Sequence, residues 1–136
     1  MEALRQEEVL FFQGKAGALP LYLALREKLP ELGEVEIQVK KTQISLIRRY
    51  IFGAVSFTPV RRAKDRPKDF ITLTFGLGYR LDSPRIDAAV EAYPGRWTHH
   101  ILIGSAGDLD GEVLAWLREA AAFAAARAEK NLRPMR

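Results

Sequence analysis

Apolar and polar positions along this 136-residue chain fall into patterns that predict most of its elements. Val35, Ile37 and Val39 alternate with Glu34, Glu36, Gln38 and Lys40, the two-residue period of a half-buried strand. The next apolar pair, Ile44 and Leu46, has moved from odd to even positions, so a tight turn or bulge near Lys40 to Thr42 has to absorb the slip. Ile51 to Thr58 reads as a third strand, with Ile51, Val55 and Phe57 on one face and Phe52 and Ala54 on the other. Phe70 to Phe75 is a fourth, with Ile71, Leu73 and Phe75 inward, and Trp97 to Ile103 is the last.

Helical stretches frame these strands. Glu2 to Phe12 fits no template cleanly and reads as a short helix broken by Gly14. From Gly17 to Leu29, apolar residues cover nearly every helical face, so this helix is either central to the fold or shares a face with another subunit. Pro20 fits only in its first turn, and Pro30 ends it. Ser83-Pro84 reads as an N-cap with proline at the first helical position, opening a helix through Ala92. The final helix places Leu109, Val113, Trp116, Leu117, Ala120 and Phe123 on one stripe. The order α-β-β-β-β-α-β-α, with short turns between neighbouring strands, predicts an α+β fold: a largely antiparallel sheet of about five strands with helices packed on it. With neither repeat nor linker, residues 1–136 are expected to form a single domain, its core about 9–128 and its tail 129–136 frayed.

Composition changes little of this. Cysteine is absent, which excludes disulfides and thiolate metal sites and fits a reducing compartment. The first residues carry acids where a secretion signal carries lysines, and no run approaches the roughly 18 apolar residues of a membrane span. A cytoplasmic protein with no membrane association is expected. Charge is more informative. Residues 1–39 carry four basic and seven acidic side chains, residues 40–100 carry twelve and five, and the remainder balances. A block of that sign suits an anionic partner, while solvated strand faces would also carry it.

Within that block, Lys41, Arg48, Arg61, Arg62, Arg66, Arg80, Arg85 and Arg96 are candidate binding residues, with Trp97 and neighbouring tyrosines interleaved. Cations beside aromatic platforms suit single strands or splayed bases, where stacking contributes roughly 1–3 kcal/mol per base. His99 and His100 are the candidate acid–base groups, with Lys41 as electrostatic partner. As neighbours on a strand they point to opposite faces and cannot chelate one metal together. Asp108 and Asp110 flank a helix start and read first as caps. Gln38-Val39-Lys40 is a degenerate match to a nuclease element, lacking its central carboxylate. Gly76 and Gly78 lack the third glycine of a phosphate loop and mark close backbone approach at a sheet exit. No metal site and no cofactor are called for.

Several stretches together carry a family resemblance: Phe11-Phe12 with Gly14-Lys15, Lys41-Thr42-Gln43-Ile44-Ser45, Phe52-Gly53-Ala54-Val55 and Phe75-Gly76-Leu77-Gly78. Ser83-Pro84-Arg85-Ile86, Arg96-Trp97-Thr98-His99-His100, Asp110 and Trp116-Leu117 continue it, from about Val9 to Ala121. The chain resembles a bacterial family known as a domain of unknown function, number 5655. That resemblance implies no activity, and the context of some members, resembling DNA-restriction systems, points toward nucleic acid. The leading expectation is a non-catalytic binding module for an anionic partner such as nucleic acid. The alternatives are an enzyme using His99 or His100 with Lys41, or a homo-oligomeric interaction domain, a homodimer built on the 17–29 helix.

Overall fold

The computed structural model describes residues 3–132. Along the chain come α1 (Gln6–Phe11), α2 (Leu19–Lys28), β1 (Glu36–Val39), β2 (Ile44–Arg48), β3 (Tyr50–Ser56) and β4 (Ile71–Leu77), then β5 (Ala88–Tyr93), β6 (Arg96–Ile103) and α3 (Gly111–Leu132). The six strands form one antiparallel sheet in the order β1-β2-β3-β4-β6-β5. The fold is α+β, with one strand more than the periodicity indicated. Residues 133–136, the end of the expected frayed tail, lie outside the described residues, while 129–132 continue α3.

Register separates the two faces. Ile37 stands opposite Leu46, Val39 opposite Ile44, Ile44 opposite Val55, Val55 opposite Leu73 and Leu73 opposite Ile101. Apart from Val39, which is partly buried at the rim, these side chains join Phe12, Tyr22, Leu25 and Leu29 from the N-terminal helical segment and Val113, Trp116 and Leu117 from α3 in one buried cluster. Burying a side chain of this kind contributes about 1.5–3 kcal/mol, so this face drives the fold. The other face carries small polar groups, among them Ser45, Ser56, Thr72 and Thr74. The slip between β1 and β2 is absorbed where expected, in a turn closed by the Lys40 N–H donating to the Gln43 carbonyl at 2.8 Å. Pro20 lies in the first turn of α2, and the helix buries Leu21, Tyr22 and Leu25, leaving Leu23 as its exposed large apolar residue.

Two expectations are overturned. Ile51 does not share the core with Val55: the register shift between Leu46 and Ile47 leaves Ile51 exposed and brings Phe52 into the core instead. Ser83-Pro84 does not open a helix through Ala92. It forms a turn in which the Ser83 hydroxyl accepts from the Arg85 N–H at 3.2 Å and the Ser83 carbonyl from the Ile86 N–H at 3.1 Å. Ala88–Tyr93 is then an edge strand paired to β6. A serine before proline makes a side-chain turn as readily as a cap. The two-residue connection Pro94-Gly95, with Gly95 at φ 81°, closes Tyr93 onto Arg96. Hairpin pairing with β6 overrides the helix preference of an alanine-rich segment.

Candidate anion-binding site

The adjacent histidines diverge as the strand period requires. His99 stands opposite Phe75 on the helix-covered face and is fully buried, its ring stacked on Phe75 at 5.3 Å between centroids. Phe75 stacks in turn on Trp116. His99 Nε2 accepts a hydrogen bond from the Leu81 N–H at 2.9 Å, so the neutral ring carries its proton on Nδ1. Among the described residues, that Nδ1 has no hydrogen-bond partner. Burial lowers the pKa of His99; the carbonyls of Phe75 and Trp97 pull the other way without reaching hydrogen-bonding geometry at Nδ1. His100 lies on the opposite face, its Nδ1 2.8 Å from the Thr74 hydroxyl, and burial lowers its pKa too.

Lys41 does not approach either ring. It sits in the β1–β2 turn, and β3 and β4 stand between β2 and β6. At about 4.8 Å per strand, that separation forbids a direct contact. Asp110 caps α3 by accepting from the Val113 N–H at 3.1 Å. Asp108 accepts from the Gly104 and Ser105 N–H groups at 2.9 and 3.1 Å. Asp110 is taken up by Arg85, whose guanidinium holds the carboxyl below its ordinary range, and it does not orient a histidine. Among the described residues, no group of three or more His, Asp or Glu stands together to hold a metal ion.

The basic block divides into answered and unanswered charges. Arg61 pairs with Asp87 at 2.7 Å, Arg62 with Asp65 at 3.3 Å, and Arg85 with Asp110 and Glu112 at 2.9 Å. Arg66 lies over Phe70, Arg80 over Trp97 and Arg96 over Tyr93, none of them within ion-pair distance of a described carboxylate. Lys41 and Arg48 are exposed and likewise without one.

Apart from Arg66, which lies in the β3–β4 connection at the opposite end, the unanswered arginines gather at one end of the sheet. The antiparallel register brings together the β2–β3 turn, the exit of β4, the end of β5 and the start of β6. Arg48, Arg80 and Arg96 are there, and the second half of α3 adds Arg127. Arg127 lies over Tyr93 at 4.7 Å and over Phe123 at 5.6 Å, so two guanidiniums share the Tyr93 ring. Between them opens a cleft of about 230 Å³ lined by Tyr50, Phe52, Gly76, Tyr93, Arg96, Ala120, Phe123, Ala124 and Arg127, among others. Its floor is apolar, with Phe52 and Ala120 buried. Beside it Arg49 holds φ 68°, a left-handed conformation that costs a non-glycine residue about 1–2 kcal/mol. A second cleft, about 320 Å³, lies near the start of β5 between Arg80, Asp82, Ser83 and Ala88.

Gly76 and Gly78 build the first cleft by what they lack. A Cβ on Gly76 would lie 3.0 Å from Arg96 Nε, and one on Gly78 3.0 Å from Phe123 Cε1. Close approach at the sheet exit is therefore the part these glycines play. Arg127 was not legible as a site residue, because the apolar stripe of α3 draws attention to Phe123 and not to the cation four residues beyond it. The i, i+4 spacing of Phe123 and Arg127 is the signal that would have found it.

The family model described as Domain of unknown function (DUF5655) matches residues 9–124, and the chain belongs to that family. No curated protein and no solved structure matches the chain. Among the described residues, no helix is long and apolar enough to cross a membrane.

Proposed function

We propose that this member of the family is a non-catalytic binding module for an anionic partner, and that single-stranded nucleic acid is the partner it takes. One observation carries the reading: Arg96 and Arg127 both lie over the Tyr93 ring above an apolar floor, and no described carboxylate answers either charge. A guanidinium held on an aromatic ring keeps its N–H edge for phosphate oxygens, while the cleft walls offer a surface on which an unstacked base can lie. A duplex keeps its bases stacked and cannot use that surface. The same end of the sheet supplies further cations without a described carboxylate partner, Arg48 and Arg80, to follow a backbone.

The test is binding of single- and double-stranded oligonucleotides at low and moderate salt. Binding of single strands should weaken steeply with salt, since each phosphate contact contributes a slope of about −0.7 in log K against log salt. The double substitution Arg96→Glu, Arg127→Glu should abolish binding. No binding at low salt, or a double variant that binds as well as the parent, overturns the reading; stronger binding to duplexes removes the single-strand assignment.

A further inference from the structure

The sheet has two edges, and only one is defended. β1 is four residues long and is flanked by Glu34, Lys40 and Lys41, charges and brevity that discourage pairing with another chain. β5 is six residues long, Ala-Ala-Val-Glu-Ala-Tyr, with Glu91 as its one charge and no proline inside it. Its outer side is unpaired in the sheet, and Val90 and Tyr93 are 56% and 43% exposed. An edge of that kind leaves backbone N–H and carbonyl groups ready for another strand.

We infer that β5 pairs antiparallel with β5 of a second copy of this chain, joining two six-stranded sheets into one across a two-fold axis at Val90. The strand's own sequence selects this occupant. With Val90 opposite Val90 of the second copy, Glu91 faces Ala89 of that copy, so the only charge on the strand avoids its like. In the same register Tyr93 faces Asp87 of the second copy. That Asp87 is already held by Arg61 and by the Leu102 N–H, so it brings no free charge to the joint, and symmetry provides the arrangement twice. The exposed Val90 side chains cover each other. The competing interface, α2, turns Leu21, Tyr22 and Leu25 into the core of its own chain and keeps little apolar surface for a partner. A joint of six residues per copy falls short of the roughly 1,000 Å² of a stable standard interface, so the dimer is weak and concentration-dependent.

Sedimentation equilibrium of the full chain over a range from micromolar to millimolar tests this without any oligonucleotide. A monomer–dimer equilibrium is expected, abolished by Val90→Lys, which sets lysine against lysine at the axis, and unchanged by Leu23→Lys on α2. Circular dichroism checks that both variants stay folded. Val90 is exposed, and Val90→Thr, which keeps a strand-forming residue without the charge, should still dimerise. A monomer at every concentration, a dimer indifferent to Val90→Lys, or one lost on Leu23→Lys overturns the assignment. So does formation of species larger than a dimer, since a two-fold joint closes.

Discussion

Two tyrosine–arginine clusters in this molecule are built from the same side chains and have opposite characters. Beneath α1 and α2, the Tyr22 hydroxyl donates to the Glu8 carboxylate, Arg26 Nε donates to the same oxygen at 2.9 Å, and the Arg5 N–H donates to the other at 2.8 Å. Glu8 and Tyr22 are fully buried, and every polar atom of the pair has its partner. At the far end of the sheet, Tyr93 is 43% exposed and carries two arginines that no described carboxylate answers. One cluster closes its charge within the chain and fastens two helices together. The other leaves its charge for something outside the chain. Residue type does not separate the two; the presence of one buried glutamate does.

The largest effect is expected where the charge is answered. Burial pushes the Glu8 pKa up, but hydrogen bonds from Tyr22, the Arg5 N–H and Arg26 outweigh it, and the group ends below its ordinary value of 4.5. Glu8→Gln removes the negative charge and one of the two acceptor oxygens among which three donors are divided, and leaves Arg26 beside a neutral side chain. We expect a loss of about 3 kcal/mol in denaturant unfolding, the scale for removing one partner of a buried pair. A carboxylate whose folded pKa is lowered contributes stability above its unfolded pKa and loses it as pH falls through the folded one. The parent should therefore weaken below about pH 4.5, and Glu8→Gln should flatten that decline. Arg96→Ala with Arg127→Ala should leave stability within about 1 kcal/mol, the worth of exposed cation–π contacts. Equal losses from both sets of substitutions would erase the distinction between the clusters.

A smaller effect sharpens the open side. Gly76→Ala places a methyl 3.0 Å from Arg96 Nε, and a flexible guanidinium gives way more readily than backbone. Thermal unfolding should register about 1 kcal/mol. Titration with a single-stranded oligonucleotide should register more, because Arg96 leaves the Tyr93 ring when pushed aside. If Gly76→Ala lowers stability and leaves affinity untouched, the position of Arg96 over Tyr93 is irrelevant to the cleft.

How much of this was readable in the chain divides along the same line. The period-2 runs of β1, β2 and β4 and the stripe of α3 record burial against one core, and a core is a regularity that sequence states repeatedly. The parity change between Val39 and Ile44 even located the turn. The strand at Ala88–Tyr93 was missed because its alanines favour helix and because pairing partners on β6 are not a local property. The cleft was half legible. Arg96 and the two glycines stood out, but Tyr93 and Arg127 are 34 positions apart in sequence and meet only because α3 runs back over the sheet exit. Sequence also could not sort answered from unanswered charges: Arg61 and Arg80 look alike until Asp87 is seen beside one and Trp97 beside the other.

His99 supplies the sharpest test of what an unanswered polar atom means. Among the described residues its Nδ1–H meets no acceptor in hydrogen-bonding geometry and the cleft arginines meet no carboxylate, yet the ring is sealed between Phe75 and the surrounding core. Open and unanswered reads as a site; closed and unanswered reads as a cost, of order 1–3 kcal/mol for a buried group without its hydrogen bond. The distinction has a pH signature. Burial holds the folded pKa of His99 below its ordinary 6.5, so as pH falls through 6.5 the unfolded chain takes up a proton that the folded chain refuses. Stability is thus full above that value and declines below it, by at most about 1.4 kcal/mol per pH unit for one proton. His100, also held low by burial, adds a share of its own. His99→Gln keeps an acceptor for the Leu81 N–H and removes the titration, so its unfolding free energy between pH 7 and 5 should vary less than the parent's by one proton's worth. His100→Gln should remove only the other share, and oligonucleotide affinity at pH 7 should be the same in both variants. A His99→Gln protein with the parent's slope would mean that the ring takes up its proton in the folded state, and the sealed, unanswered nitrogen would then belong with the cleft arginines as a group that reaches a partner.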